Sequence, residues 1–342
     1  MKLWFSPTDV KPGKNYGSTL LIKKMAEAVT QAGATLCFDP QEDFDVAMHF
    51  ARPDRFQPIP GRKNILYTAC ESTPLLTWFR TDEAMKAVNQ AVALVVPSHF
   101  CRRQFAKYYP RIPLHVVPEG VDAQAFPFYQ RSEPGPGEPF RFLFCGTLDG
   151  RKGHDICLRA FVEWQRRRDA PRNVSLRIKT TAKDIAIDGE KLDGVRSYPE
   201  SGKPPAIIWD NRNLPTADLA QLYNSAHCFL LPSRGEGWGQ MLTDAMSTGC
   251  PSIWTAWSAM LDYADKSVGF PITKYRMMPS PDPAFGNYAD ISLDALIERM
   301  EHVYSNYGRA LELGRRASER MRNEYTWTLA GEKLLAVLRR FM

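Results

Sequence analysis

The sequence predicts an α/β protein built from two open, mainly parallel-sheet domains facing each other across a cleft. Three observations carry that expectation. The chain has 342 residues, more than one hydrophobic core usually organises. Short apolar or β-branched runs alternate with amphipathic stretches along almost its whole length, as in βα units around parallel sheets. Two such series flank the aperiodic, Pro- and Gly-rich segment QRSEPGPGEP.

The first series predicts strands at 2–5, 35–38, 45–50, 64–68, 93–97 and 114–117, with helices between them. The helix at 18–31 sets Leu21, Met25, Ala28 and Val29 on one face and is opened by the turn Asn15-Tyr16-Gly17-Ser18. The second series predicts strands at 141–145, 175–179, 206–209, 228–232 and 251–254. From residue 294 onward the pattern is almost entirely helical. A first domain at 1–130, a linker at 131–140 and a second domain from 141 follow. Open sheets bind ligands at the carboxyl ends of their strands, so the active site is expected in the cleft.

Composition narrows the class. With 44% apolar and 24% charged residues, the chain reads as soluble and globular, and it lacks an apolar run near the roughly 18 residues of a membrane span. Its start, MKLWFSPTDVKPGK, does not read as a signal peptide, and a cytoplasmic location is expected. Cys37, Cys145, Cys157 and Cys228 sit in apolar runs, and none of the seven cysteines has metal-ligand spacing. A net charge of +6 suits polyanionic ligands such as a nucleotide diphosphate or a nucleic acid. Arg166-Arg167-Arg168 and Arg315-Arg316 read as solvated helix faces.

Two segments of the second series carry chemistry. Cys145-Gly146-Thr147-Leu148-Asp149-Gly150-Arg151-Lys152-Gly153 follows a strand and precedes a helix whose apolar face is Ile156, Cys157, Ala160, Phe161 and Trp164. Its glycines let a ligand approach the backbone, the helix start offers free N–H groups, and Lys152 adds a cation, which together suit a diphosphate. The same segment also fits a plain tight βα turn with a surface lysine. In Pro232-Ser233-Arg234-Gly235-Glu236-Gly237-Trp238-Gly239-Gln240-Met241-Leu242-Thr243-Asp244, a glycine-punctuated loop carries Glu236 and a helix starting near Gly239 carries Asp244. Carboxylates there can accept sugar hydroxyls. Alternatively, Asp244 is a helix-dipole residue and Glu236 a solvated loop charge.

The pair GTLDGRKGHDICLRAF and PSRGEGWGQMLTDAMSTGCPSIWT, about 90 residues apart and in this order, resembles the donor-site signature of family 4 glycosyltransferases and related retaining enzymes of the GT-B fold. Pro97-Ser98-His99-Phe100 and His115-Val116-Val117-Pro118-Glu119-Gly120-Val121-Asp122 extend the likeness through the first half. Tyr325-Thr326-Trp327 resembles the lead into a terminal helix, at 323–342, that returns to the first domain. The resemblance implies two Rossmann-like domains, a UDP- or GDP-sugar as co-substrate and no prosthetic group. It implies that Lys152 holds the donor diphosphate and that the amides of Gly237, Trp238, Gly239, Gln240 and Met241 contact sugar or phosphate. Glu236 and Asp244 occupy the acidic positions of the family's E-x7-E motif, at the donor sugar and the ribose. Gly146 and Thr147 line the diphosphate turn. Thr147 stands where many members have an arginine, and Arg151 or Lys179 is the candidate replacement. Asn213 and Leu214, beyond the strand at 206–209, are expected near the nucleobase.

On the acceptor side, His49 at the end of the strand at 45–50 is a candidate catalytic imidazole, with a structural histidine as the alternative. Glu71, Ser72, Tyr16 and Gly17 are further lining candidates. The resemblance implies front-face transfer with retention, without a protein nucleophile or a metal. Asp43-Phe44-Asp45 has the D-x-D form of manganese sites in another glycosyltransferase fold, but lies at a strand entrance in the first domain. A nucleotide-sugar epimerase or a non-catalytic nucleotide-sugar or polyanion binder is the rival reading. The acceptor is left open among saccharide, lipid-linked glycan, small metabolite, protein and nucleic-acid base.

Overall fold

The structure is a computed structural model that describes residues 1–6, 17–181, 186–187, 190–191 and 207–342. The expected turn through Asn15 and Tyr16 lies outside the described residues, as does Ala206. The first sheet contains β1 (Lys2–Phe5), β2 (Thr35–Cys37), β3 (Val46–Phe50), β4 (Asn64–Tyr67), β5 (Ala91–Val96) and β6 (Leu114–Val116). They pair in parallel in the order β2-β1-β3-β4-β5-β6. Helix α1 (Ser18–Gln31) covers one face, while α2 (Asp82–Val88) and α3 (His99–Ala106) cover the other. Local signals place the starts of the latter two: Thr81 accepts the Ala84 N–H and Ser98 accepts the Cys101 N–H, both as side-chain N-caps.

The second sheet is formed by β7 (Phe140–Cys145), β8 (Val174–Lys179), β11 (Ile207–Asp210), β12 (Cys228–Leu231), β13 (Ser252–Thr255) and β14 (Phe270–Ile272). Its order is β11-β8-β7-β12-β13-β14, all parallel. Between β8 and β11 lies a two-stranded ribbon, β9 (Ala186–Ile187) and β10 (Glu190–Lys191). Helices α4 (His154–Arg166) and α7 (Leu293–Ser305) pack on one face. On the other lie α5 (Thr216–Ser225), α6 (Gln240–Ser247) and α8 (Tyr307–Glu324). An antiparallel hairpin, β15 (Arg276–Pro279) with β16 (Asn287–Asp290), was not expected from the sequence.

The two sheets and their helical layers are the expected GT-B architecture, including the returning terminal helix. In α9 (Trp327–Leu338), Ala330, Leu334, Leu335 and Leu338 join the core of the first domain. The chain therefore crosses between domains twice, and the crossings meet: the Val121 N–H donates to the Tyr325 carbonyl at 2.8 Å. A Cβ on Gly120 would lie 2.2 Å from the Trp327 nitrogen.

The outward crossing lies ahead of the expected linker. Val121 and Phe126 already belong to the core of the second domain. Arg131 is buried there and donates to the carbonyls of Ala226, Tyr223 and Thr248. Pro and Gly report a local backbone without helix or strand, whereas the crossing is set by which core the flanking apolar residues enter. The expected first-domain limit at 130 and linker at 131–140 are thus displaced toward the C-terminus.

Helix α9 lies so close to α1 that a Cβ at Gly331 would sit 2.6 Å from the Ala28 carbonyl carbon. Backbone cannot yield there as a long side chain would. Gly331→Leu is expected to destabilise the protein by about 1–3 kcal/mol, read as a lower urea midpoint. An unchanged midpoint would show that the two helices do not pack this closely.

Candidate active site

The two glycine-bearing segments singled out in the second half emerge at the carboxyl ends of β7 and β12, adjacent strands whose connections leave in opposite directions. This is the topological switch point at which open α/β sheets bind ligands. The segment after β7 turns through a short 3-10 helix, Gly150–Lys152, capped by Asp149, whose Oδ1 accepts the Lys152 N–H. Gly153, at φ +75°, then starts α4; a Cβ there would lie 2.2 Å from the Pro232 carbonyl oxygen. That contact packs the turn directly against the loop leaving β12.

The same two loops are tied by charge. Buried Lys152 donates from Nζ to both oxygens of buried Glu236, at 2.8 and 2.9 Å. Ser233 Oγ donates to Oε1 at 2.8 Å, and an Arg151 guanidinium nitrogen lies 3.3 Å from Oε2. Burial favours the protonated acid, but Lys152, then Arg151, and the hydrogen bonds outweigh it and hold the Glu236 carboxyl below its ordinary range. The Glu236 N–H donates to Ser258 Oγ, and Ser258 sits at φ +59°, the one positive φ outside glycine among the described residues. Left-handed backbone disfavours serine, so surrounding packing must hold this residue in place.

Helix α6 begins at Gly239. Gln240 and Met241 precede the first N–H bonded back into the helix, that of Leu242 to the Gly239 carbonyl. Asp244 is buried one turn further on, with Gln240 Nε2 donating to Oδ1 at 2.9 Å. Burial pushes its carboxyl up to about 7, with Gln240 opposing and Asp122 adding to the rise.

Arg151, Lys152, Glu236, Gln240, Met241 and Asp244 border one cavity of about 1040 Å³ between the domains. It brings together Gly146, Thr147, Arg151, Lys152, Lys179, Asn213, Leu214, Glu236, Gly237, Trp238, Gly239, Gln240, Met241 and Asp244, every expected donor-side residue. Thr147 is turned toward its own loop, donating to Asp149. Arg151 donates to the Gly235 carbonyl, and Lys179 to those of Thr180 and Arg212. The Trp238 ring packs on Tyr263 and Tyr325, leaving its backbone at the cavity. Gly17 and Glu71 also line it, whereas Ser72 is buried and bonded to the Pro74 carbonyl. Tyr16 lies outside the described residues.

His49 is a correction. Its ring packs between Trp4 and Phe56, Nε2 is 2.9 Å from Asn64 Oδ1, and the residue does not line the cavity. Burial lowers its pKa to about 4, only partly offset by Asn64. It is a satisfied structural histidine; Phe50, Ala51 and Arg52 reach the cavity instead. Of the D-x-D segment, Asp45 accepts the Lys2 N–H and Asp43 faces Arg62.

Sequence reasoning missed Glu119, which lines the cavity where the chain crosses between domains. Burial, reinforced by Asp244 and Glu236 and opposed by Lys152, raises its carboxyl to about 8. The available signal was a carboxylate inside the Pro118-Glu119-Gly120-Val121-Asp122 run.

Solved structures show the same architecture. Sucrose-phosphate synthase from Thermosynechococcus elongatus aligns over 99% of this chain and 98% of its own, with TM-score 0.72 and 12% identity. The Anabaena protein Alr3699/HepE, in complex with UDP and glucose, aligns over 99% of this chain and 100% of its own, with TM-score 0.67 and 13% identity. Fold and cavity thus define the class: a GT-B scaffold of the kind found in glycosyltransferases.

The family match falls on the second domain. Residues 139–276 match the model of Glycosyl transferases group 1. A D-inositol 3-phosphate glycosyltransferase from Arthrobacter sp. (strain FB24) is 24% identical over 183 residues, covering 52% of this chain. The aligned part spans 42% of that relative's length. Among the described residues, no helix is long and apolar enough to cross a membrane.

The raised Asp244 carboxyl has a thermodynamic signature. With a pKa of about 7 folded and ~3.9 unfolded, the folded state binds the proton more tightly. Its stabilising contribution is full below the unfolded value, declines as pH rises through about 7 and is lost above it. Asp244→Asn should therefore gain stability relative to wild type between pH 5 and pH 8, measured by urea unfolding. Equal differences at both pH values would show that Asp244 ionises normally.

Proposed function

We propose that the protein transfers a hexose or similar sugar from a UDP- or GDP-sugar to an acceptor hydroxyl, retaining the anomeric configuration. The observation that carries this reading is the convergence of Lys152, the Glu236 loop and the start of α6 on one interdomain cavity at the β7/β12 switch point.

In this reading the donor diphosphate lies against Lys152 and Arg151 and the first amides of α6, where charge-assisted bonds and the helix dipole favour an anion. Glu236, held ionised by its partners, accepts hydroxyls of the donor sugar while keeping Lys152 in place. Asp244 meets the ribose, and the base lies toward Asn213 and Leu214. As the bond between the anomeric carbon and the phosphate oxygen breaks, the acceptor oxygen bonds that carbon from the same face. The acceptor proton passes to the departing diphosphate oxygen. Lys152 and Arg151 stabilise the charge that builds on the diphosphate.

The cavity is walled by both domains, which suits water exclusion during transfer. Gly235 approaches so closely that a Cβ would be 1.9 Å from the Glu71 carbonyl oxygen. Ser98 Oγ donates to the Gly237 carbonyl at 2.9 Å, and the His99 N–H donates to Asp262 at 2.6 Å.

Screening UDP, GDP and their sugars by thermal shift identifies the donor, since a ligand at a hundred times its Kd adds about 2.7 kcal/mol. With that donor, Lys152→Ala should lower transfer by about 100-fold or more while the fold persists. The product anomer, read by NMR, should match the donor, and transfer should survive EDTA. Donor turnover without a glycosylated product, an inverted anomer or full activity in Lys152→Ala would each overturn this function.

A further inference from the structure

We infer that the first-domain end of the cavity is a saccharide subsite built on Trp78, so that the acceptor presents a sugar ring to the indole. This rests on the transferase reading and names its acceptor class.

Trp78 lies in the short 3-10 helix Thr77–Arg80 and lines the cavity, yet 39% of its surface is exposed. Leaving so large an apolar side chain exposed in the cleft forgoes the stabilisation that burial would bring. A ligand that covers the ring recovers it. The electron-rich face of an indole attracts the partial positive charge of C–H groups, and a pyranose offers an apolar C–H face ringed by hydroxyls.

The surroundings suit that rim. Arg52, also lining the cavity, holds its guanidinium over the Trp78 ring, 5.1 Å from the centroid, so the ligand is expected on the indole surface that the cation leaves uncovered. Arg52 is fixed there by two bonds to Asp54, at 2.9 and 2.7 Å. Glu71 lines the same cavity, so a donor and an acceptor of hydrogen bonds are both among its lining groups. A flat aromatic acceptor would use the indole but not this polar rim.

The second domain completes the subsite. Phe285, in the turn of the β15/β16 hairpin, meets Trp78 at 5.6 Å between centroids and 78° between planes. The hairpin is pinned to the first domain by the Asn287 N–H donating to the Thr73 carbonyl at 2.8 Å. Its other strand end is tied to the donor loop: Arg234 Nε donates to Asp290, and the Ala289 N–H donates to the Arg234 carbonyl. Arg234 also grips Asp155 at the start of α4 and the Gly150 carbonyl. The Trp78 platform is therefore mechanically continuous with both loops of the donor site.

The test uses the full chain saturated with the nucleoside diphosphate that the thermal-shift screen selects. Saturation-transfer NMR is run with methyl glycosides of glucose, galactose, mannose and N-acetylglucosamine and with p-nitrophenol. At least one glycoside should give a signal from its ring protons that falls by about tenfold in Trp78→Ala and is largely kept in Trp78→Phe. Phe285→Ala should weaken it without abolishing it. Nucleoside diphosphate binding should be unchanged in all three variants, which confirms their fold and keeps the donor reading separate. No glycoside signal, a signal indifferent to Trp78→Ala, or binding of p-nitrophenol alone would overturn the subsite.

Discussion

The buried pair of Lys152 and Glu236 is the contact on which the candidate site depends. It joins the turn after β7 to the loop after β12, two segments 84 residues apart in the sequence. Removing two charges from water is expensive, and their attraction alone does not ensure a net gain. Here the spare oxygens of Glu236 are met by Ser233 and Arg151, and its N–H by Ser258, so the acid stays ionised within the protein. An arrangement with so many supports, one of them a serine in left-handed backbone, is an expensive way to stabilise a fold. It makes sense where a cation and its counter-ion must stand ready at a fixed place.

Closure of the cleft depends on the same loop. Gly235 and Gly237 press against Glu71, Ala69 and Cys70, and the Gly237 carbonyl accepts from Ser98, which also caps α3. A Cβ at Gly235 would collide with the Glu71 backbone, and one at Gly237 would crowd the Ala69 side chain and the Cys70 carbonyl. The glycines in this loop therefore serve domain approach as well as ligand access. A loop that carries Glu236 on one side and touches the first domain on the other couples donor-site geometry to the interdomain distance.

Much of this was legible because it is local in sequence. The strand, glycine turn and helix around Lys152, and the loop and helix around Glu236 and Asp244, are each set by a dozen neighbouring residues, so their spacing predicts their shape. The expected donor-side residues consequently line one cavity. What failed was nonlocal. β3 is buried on both faces, so alternation could not say which face of the sheet His49 takes, and Trp4 and Phe56 decide it. The crossing at Gly120 and Val121 is set by contacts with Tyr325 and Trp327, some 200 residues away. Glu119 was overlooked for the same reason. The β15/β16 hairpin gave no alternating pattern: all four residues of β15, Arg276-Met277-Met278-Pro279, are exposed.

The carboxylates of the cavity follow from one electrostatic requirement. The proposed diphosphate would bring negative charge toward Glu236, Asp244 and Glu119, three of the acids that line the cavity. Three ionised acids there would repel it. Lys152 and Arg151 keep Glu236 charged, and they are the same cations that face the proposed diphosphate. Asp244 and Glu119, without such partners, are driven by burial to about 7 and about 8. Near neutral pH they are thus largely able to hold protons, and a protonated carboxyl can donate a hydrogen bond as well as accept one. Glu236 in this way anchors cations, while Asp244 and Glu119 can meet a polyanion without opposing it. The difference between them arises from where the chain places Lys152 and Arg151, not from the acids themselves.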